Sequence, residues 1–328
     1  MAPSPGAPTP TTPAPLDAAT VRRVLAVARR AGAMLLASGA QTTDVELAIA
    51  EMSADLGLAG VQVNVTFSSI SLSYVERGDL APTTVIQLVR DRSADFTRLA
   101  DVAALKNDIA ARRVDLTAAE AALDRIEQDD QRFPAWLALV APAVSAAATA
   151  FLFGGGALDA AATLVVAILV QPLLGALART GIPPFFTLLL GTTLATLLAA
   201  GTVWLGLPVA APVVLTASLL RFLPGAALVS GIRDLIDQSV VSGTARLAEA
   251  ILVGAGVASG AALGIAIASQ PGVQLELHPE GANEYVLALA MVAAGVAVAG
   301  YAVQLSVPTF AIPWTAALGA MAWAIFTT

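Results

Sequence analysis

The sequence predicts an α-helical polytopic membrane protein of about seven transmembrane helices, preceded by an N-terminal cytoplasmic α+β domain. Three observations carry this. From Pro134 to Thr328 long apolar runs alternate with short turns, and a run of about 20 apolar residues is what a helix needs to cross the hydrocarbon. Apolar residues make up 57% of the chain and charged residues only 12%, with a mean hydropathy of +0.78. Nearly all cations lie early: of seventeen Lys and Arg, only Arg179, Arg221, Arg233 and Arg246 follow Arg132.

The same figures exclude other classes. A chain without cysteine has no disulfide or thiolate chemistry, and its single His278 argues against a histidine metal site. A net charge of −7 argues against a nucleic-acid partner. No phosphate-binding glycine loop followed by Lys occurs, so ATP hydrolysis is not the expected energy source. No cofactor and no metal are expected.

Residues 1–16 place Pro at almost every third position and hold no apolar run, which reads as a disordered leader rather than a signal peptide. Residues 17–132 form the soluble domain. Val21, Leu25, Ala28 and Leu35 recur at helical spacing and Gly39 stops the helix. Thr43 and Glu46 have capping-box spacing at the start of a second helix, with an apolar face of Val45, Ile49, Met52 and Leu56. Val61, Val63, Val65 and Phe67 alternate with polar residues as a strand. The alternation slips at Ser68–Ser69, which predicts a turn or bulge before Ile70, Leu72 and Tyr74. A third strand near Thr84–Arg90 and two polar helices, 94–113 and 117–130, complete the unit. Ser69, Ser71 and Ser73 read as a solvated sheet face, since no base accompanies them for nucleophilic work. No enzyme is expected; a sensor or enzyme acting through this domain is the alternative.

Two membrane modules follow, 133–269 with five spans and 284–328 with two. The seven spans fall near 134–153, 157–178, 184–206, 208–230, 247–269, 285–304 and 309–327. Arg132, Arg179, Arg233 and Arg246 share one side, and the acidic loop Ser269–Glu284 lies on the other. Positive loops face the cytoplasm, so the N-terminus is expected there. Gly256, Gly260 and Gly264 form a stripe that lets another helix approach, and such a stripe is a candidate association face.

The fourth span carries the candidate substrate path. Arg221 lies near its middle, followed by Pro224-Gly225 and then Arg233, Asp234 and Asp237. Pro removes a helix hydrogen bond and Gly lowers the cost of opening the backbone. Broken helices expose backbone groups that bind ions and polar substrates. An intramembrane Arg points to function by default, although Arg221 also reads as a side chain reaching back to the surface. Asp159, after Phe153-Gly154-Gly155-Gly156, reads either as a helix cap or as an outward-facing proton or substrate contact.

Several stretches in the same order resemble the threonine/serine exporter family of bacterial inner-membrane carriers. They are LLASGAQTTDVELAIAEMSADLGL, VQVNVTFSSISLSY, FLFGGGALDAA and LPGAALVSGIRDLIDQSVVSGTARLAEA, spanning about Ala18 to Glu249. A weaker resemblance continues from Tyr285 to Trp323. It implies a secondary active exporter of threonine and serine in the cytoplasmic membrane, driven by the proton motive force. It also implies two related membrane modules, sometimes on separate chains that together export a dicarboxylate such as succinate. Here the chain reaches Thr328 about two spans into the second module, and Val307-Pro308-Thr309-Phe310 stands where the family has a basic cluster. A partner chain or a second copy is therefore expected.

Overall fold

The computed structural model describes residues 17–75, 81–90, 92–129, 133–269 and 287–327. The leader, Arg132, His278 and most of the acidic loop lie outside these residues.

Most helices and strands of the N-terminal part follow their sequence patterns, the capping box apart. Helices α1 (Ala18–Ala37) and α2 (Thr42–Asp55) turn at Gly39, whose φ of +97° suits a residue without a side chain. Strands β1 (Gln62–Val65), β2 (Ser69–Tyr74) and β3 (Thr83–Leu88) form an antiparallel sheet in that order. Val65 faces Ile70 across the first hairpin, so the slip in alternation is the hairpin turn itself. Ile70 and Leu72 are fully buried against α1 and α2 with Leu25, Ile49 and Met52. Ser69 and Ser73 bond to the hydroxyls of Thr66 and Thr84. Helices α3 (Phe96–Ala110) and α4 (Leu116–Gln128) pack beside α1, where Arg23 pairs with Glu120 at 2.7 Å and Arg30 with Asp124 and Glu127.

The capping box expected at α2 does not form. Glu46 accepts instead from the Val65 amide at 2.8 Å, tying α2 to the sheet. The α2 N-terminus is capped from 192 residues away, by Asp234. A carboxylate there meets both the free amides and the positive end of the helix dipole.

The membrane part is helical throughout its described residues. Helices α5 (Ala135–Leu152), α6 (Ala157–Arg179), α7 (Pro184–Trp204), α10 (Val240–Ala268) and α11 (Leu287–Gln304) are long and apolar enough to cross a membrane. Helices α8 (Ala211–Leu220) and α9 (Gly225–Ile236) make a sixth crossing if taken together, bent by 44° at the break. The last helix, α12 (Ile312–Thr327), has 16 residues and is shorter than a typical span. The described helices thus give five or six crossings, below the seven expected.

The glycine stripe of α10 is filled from within the chain. A side chain at Gly256 would strike the Phe185 carbonyl, and at Gly264 the Thr196 side chain, both on α7. Thr193 of α7 donates across the contact to the Gly260 carbonyl at 3.0 Å. The stripe therefore packs two helices of one chain and is not free as an association face. The α10 helix also begins earlier than the predicted span, and its first two turns reach the soluble domain.

Candidate functional site

Helices α6 and α8 are locked at one end by Asp159. Its Oδ2 accepts from the Gly156 amide at 2.7 Å and its Oδ1 from the Ala210 amide at 2.6 Å, just before α8. The residue is 8% exposed, so its carboxylate serves as a cap both to its own helix and to a neighbour. Gly155 allows this closeness, since a side chain there would meet Val213 and Asp159.

About 15 Å along α8, counted at 1.5 Å per residue, the helix stops. Residues 221–224 form the break, and Pro224 starts α9 as its N-cap. Gly225 is exposed and Pro224 half-buried. Arg221 caps α8 and points its guanidinium at the ring of Phe222, 4.7 Å from the centroid. Its Nε is buried and has no hydrogen-bond partner among the described residues.

Arg221 lines a cavity of about 900 Å³ enclosed by α5, α6, α7 and the break. Gln171 lines the same cavity, and its buried Oε1 also lacks a partner. Pro172 follows it inside α6 and removes one hydrogen bond of that helix. Two residues that line one cavity thus each hold an unpaired buried polar atom, one a donor and one an acceptor. Buried polar groups are nearly always paired, so such a couple points to a ligand or water that completes it. Thr187 and Gln304 add further polar groups to the wall.

The N-terminal domain also reaches the cavity. Arg90 and Arg92, after β3, belong to its wall together with Glu249 of α10. Arg92 donates to the Phe67 carbonyl at 2.8 Å, lies 3.4 Å over the Phe67 ring, and reaches both Glu249 oxygens at 3.2 and 3.3 Å. Burial lowers the Arg92 pKa from its ordinary value; Glu249 opposes the shift and Arg246 adds to it.

Of the other residues singled out, Asp234 is fully buried and Arg233 and Asp237 are exposed on α9. Asp234 lies 2.8 Å from Nε of Arg246 and accepts from the Thr42 amide at 3.2 Å. Arg246 donates on to the Ala40 carbonyl at 2.6 Å. Close packing of α9 on α10 brings the pair together, because a side chain at Gly243 would strike Leu235 and the Gly231 carbonyl, and one at Gly231 would press on Leu247. A second joint sets the amides of Phe96 and Thr97 on the carbonyls of Leu305 and Ser306, at 3.1 and 2.8 Å.

Reading the sequence brought out Arg221 and the Pro224-Gly225 break but not Gln171, Arg92, Glu249 or Arg246. Gln171 had a visible signal: an amide before Pro172 in an otherwise apolar helix. The others owe their place to long-range contacts.

The comparisons with known proteins agree with this architecture. No solved structure matches the chain. It is 29% identical over 263 residues to "Probable threonine/serine exporter" of Mycobacterium tuberculosis, covering 80% of this chain and 50% of that protein. It is 29% identical over 309 residues to "Threonine/serine exporter" of Corynebacterium glutamicum, covering 90% and 63%. The chain thus spans between half and two-thirds of the length of these relatives. A family model described as "ThrE: Putative threonine/serine exporter" matches residues 26–268, which hold most of the N-terminal domain and every cavity-lining residue but Gln304. The chain is a multi-pass membrane protein and belongs to the threonine/serine exporter family.

Proposed function

We propose that the chain carries threonine, serine and similar small hydroxy amino acids out of the cytoplasm, through the cavity at the α8–α9 break. The observation that carries this reading is that Arg221 and Gln171, which line one cavity, each hold a buried polar atom without a partner. A zwitterion's carboxylate suits the guanidinium of Arg221, and its ammonium or hydroxyl suits Oε1 of Gln171. The backbone opened at Pro224-Gly225 offers further groups, as broken helices do in other carriers. Arg233 and Asp237, exposed at the end of α9 and not among the residues lining the cavity, would add charge on the side where substrate enters. Asp159 holds the opposite end of α8 shut.

In this reading the N-terminal domain faces the cytoplasm, the membrane is the bacterial inner membrane, and the proton motive force drives export. A second copy or a partner chain completes the transporting unit. One observation favours a second substrate class. The cavity wall carries Arg90, Arg92 and Arg221 against the single Glu249, a balance that suits a dicarboxylate such as succinate.

Counterflow in proteoliposomes loaded with threonine, serine or succinate tests both. Exchange of labelled threonine, lost in Arg221→Gln, supports the first reading. Exchange of succinate alone transfers the site to the second, and exchange of none refutes both.

A further inference from the structure

Two ion pairs lie where the soluble domain meets the membrane helices, Arg92–Glu249 across the junction and Asp234–Arg246 between α9 and α10, and they differ in a way that assigns them different work. Asp234 and Arg246 have side chains 0% and 7% exposed, with backbone partners on both sides. Arg92 and Glu249 are 18% and 44% exposed and belong to the cavity wall. A partly solvated pair is held weakly and exchanges partners readily. A fully buried one does not, because either charge alone would be stranded.

We propose that Arg92 and Glu249 form a selectivity gate at the cavity mouth, opened when a zwitterion exchanges its carboxylate for Glu249 and its ammonium for Arg92. This rests on the reading of the cavity as the substrate path. Arg92 is built to stay in place during the exchange. The Phe67 carbonyl fixes one side of its guanidinium and the Phe67 ring supports its face. Glu249, the more exposed half, is the one that moves. An amino acid supplies both opposite charges at short separation, so neither half of the pair is left unpaired. A molecule with only one of those charges leaves the other half unpaired, and Arg92, the less exposed half, is where that costs most. Beyond the gate, Arg221 takes over the carboxylate. The soluble domain is then part of the carrier's specificity, because it brings the cation.

The test compares threonine with 3-hydroxybutyrate, which lacks the ammonium, and with threonine methyl ester, which lacks the carboxylate. Each is assayed by counterflow in proteoliposomes of the full chain, alongside Glu249→Gln and Arg92→Gln. In the same backgrounds, Thr187→Cys in the cavity wall is labelled with a membrane-impermeant maleimide; the chain has no other cysteine. The parent is expected to prefer threonine over either analogue by about tenfold or more. Glu249→Gln should lose the preference over 3-hydroxybutyrate, Arg92→Gln the preference over the ester, and both should speed labelling of Thr187→Cys. A purely structural role would lower all three fluxes together and leave their ratios unchanged. Unchanged ratios overturn the exchange whether or not labelling rises, and unchanged labelling overturns the gate. Failure of the parent to carry threonine refutes the substrate reading instead, and the labelling rates then still decide the gate.

Discussion

The carboxylate of Asp234, on α9, sits 2.8 Å from Nε of Arg246 on α10, and both side chains are withdrawn from solvent. Each also holds the soluble domain: Asp234 caps α2 through Thr42, and Arg246 donates to the Ala40 carbonyl. One buried pair therefore joins the broken span, its neighbour and the start of α2 with the turn before it. The 44° bend and the domain's position are linked through it.

Asp234→Asn should loosen that joint. It keeps the shape but strands the Arg246 charge, and breaking a buried pair costs about 3–5 kcal/mol. The expected outcome is faster proteolysis between α2 and α3 and reduced threonine efflux at an equal amount of inserted protein. Asp234→Asn combined with Arg246→Met removes both charges and should recover part of the lost stability. Thermal unfolding of the three proteins in detergent measures this, and a single mutant as stable as the parent would refute the joint.

Arg221→Gln should leave the fold intact, since the Nε it removes has no partner to lose. Charge-assisted hydrogen bonds contribute about 1.5–3 kcal/mol, so the apparent affinity for a carboxylate substrate should fall about 10- to 100-fold. Gln171→Leu should weaken binding less, because a neutral acceptor contributes less than a charge. Titration of counterflow against external threonine measures both.

What the sequence disclosed and what it hid divide along contact distance. The α1 and α2 faces, the alternating strands, the Pro224-Gly225 break and the capping role open to Asp159 are local patterns, readable within one or two turns. The Arg92–Glu249 pair spans 157 residues and the Asp234–Thr42 contact 192. No periodicity marks such partners. Thr43 and Glu46 had the right spacing for a capping box, yet tertiary contacts offered each a competing partner: Ser239 for Thr43 and the Val65 amide for Glu46. The glycine stripe showed that a helix would come close but not which helix.

That helix is α7, so Gly260→Leu should damage the monomer rather than its association. A side chain at Gly260 runs into Thr192 and the Leu189 carbonyl. The main chain of α7 cannot yield as a flexible side chain would, and overpacking costs about 1–3 kcal/mol or more. Lower yield and early thermal unfolding are expected, with no change in the mass of the protein that survives. A stable variant with a smaller mass would return the stripe to the role of an association face.

The α1–α4 contact should be sensitive to acid. Arg23 holds the Glu120 carboxyl below its ordinary value, first through the hydrogen bond and then through charge. A depressed carboxyl stabilises the fold above its unfolded pKa of about 4.3, and the contribution is lost as pH falls through the lower folded value. Hydrogen exchange in α4 should therefore quicken below about pH 4 relative to α2, and Arg23→Gln should remove the difference. Equal quickening of both helices would place the acid-sensitive contact elsewhere.

The last prediction concerns whether the soluble domain must leave its seat for transport. Thr43 Oγ1 and Ser239 Oγ lie 3.4 Å apart, one on α2 and one at the start of α10. Replacing both by cysteine puts two sulfurs where a bond of about 2.05 Å can form with little movement, in a chain that otherwise has no cysteine. Oxidation should close this bond nearly completely, which alone tests the placement of the domain. Undocking would break the buried bonds of Asp234 to Thr42 and of Arg246 to Ala40, leaving charged groups short of partners, while the Arg92–Glu249 pair exchanges in place. A stapled domain should therefore still pass substrate, with counterflow within about twofold of the reduced protein, well under the roughly tenfold that 1.4 kcal/mol represents. Full loss of flux on oxidation, restored by a reductant, would mean that the whole domain lifts away in each cycle. The cavity mouth would then open by undocking, and the partly solvated pair would be a seal rather than the moving part.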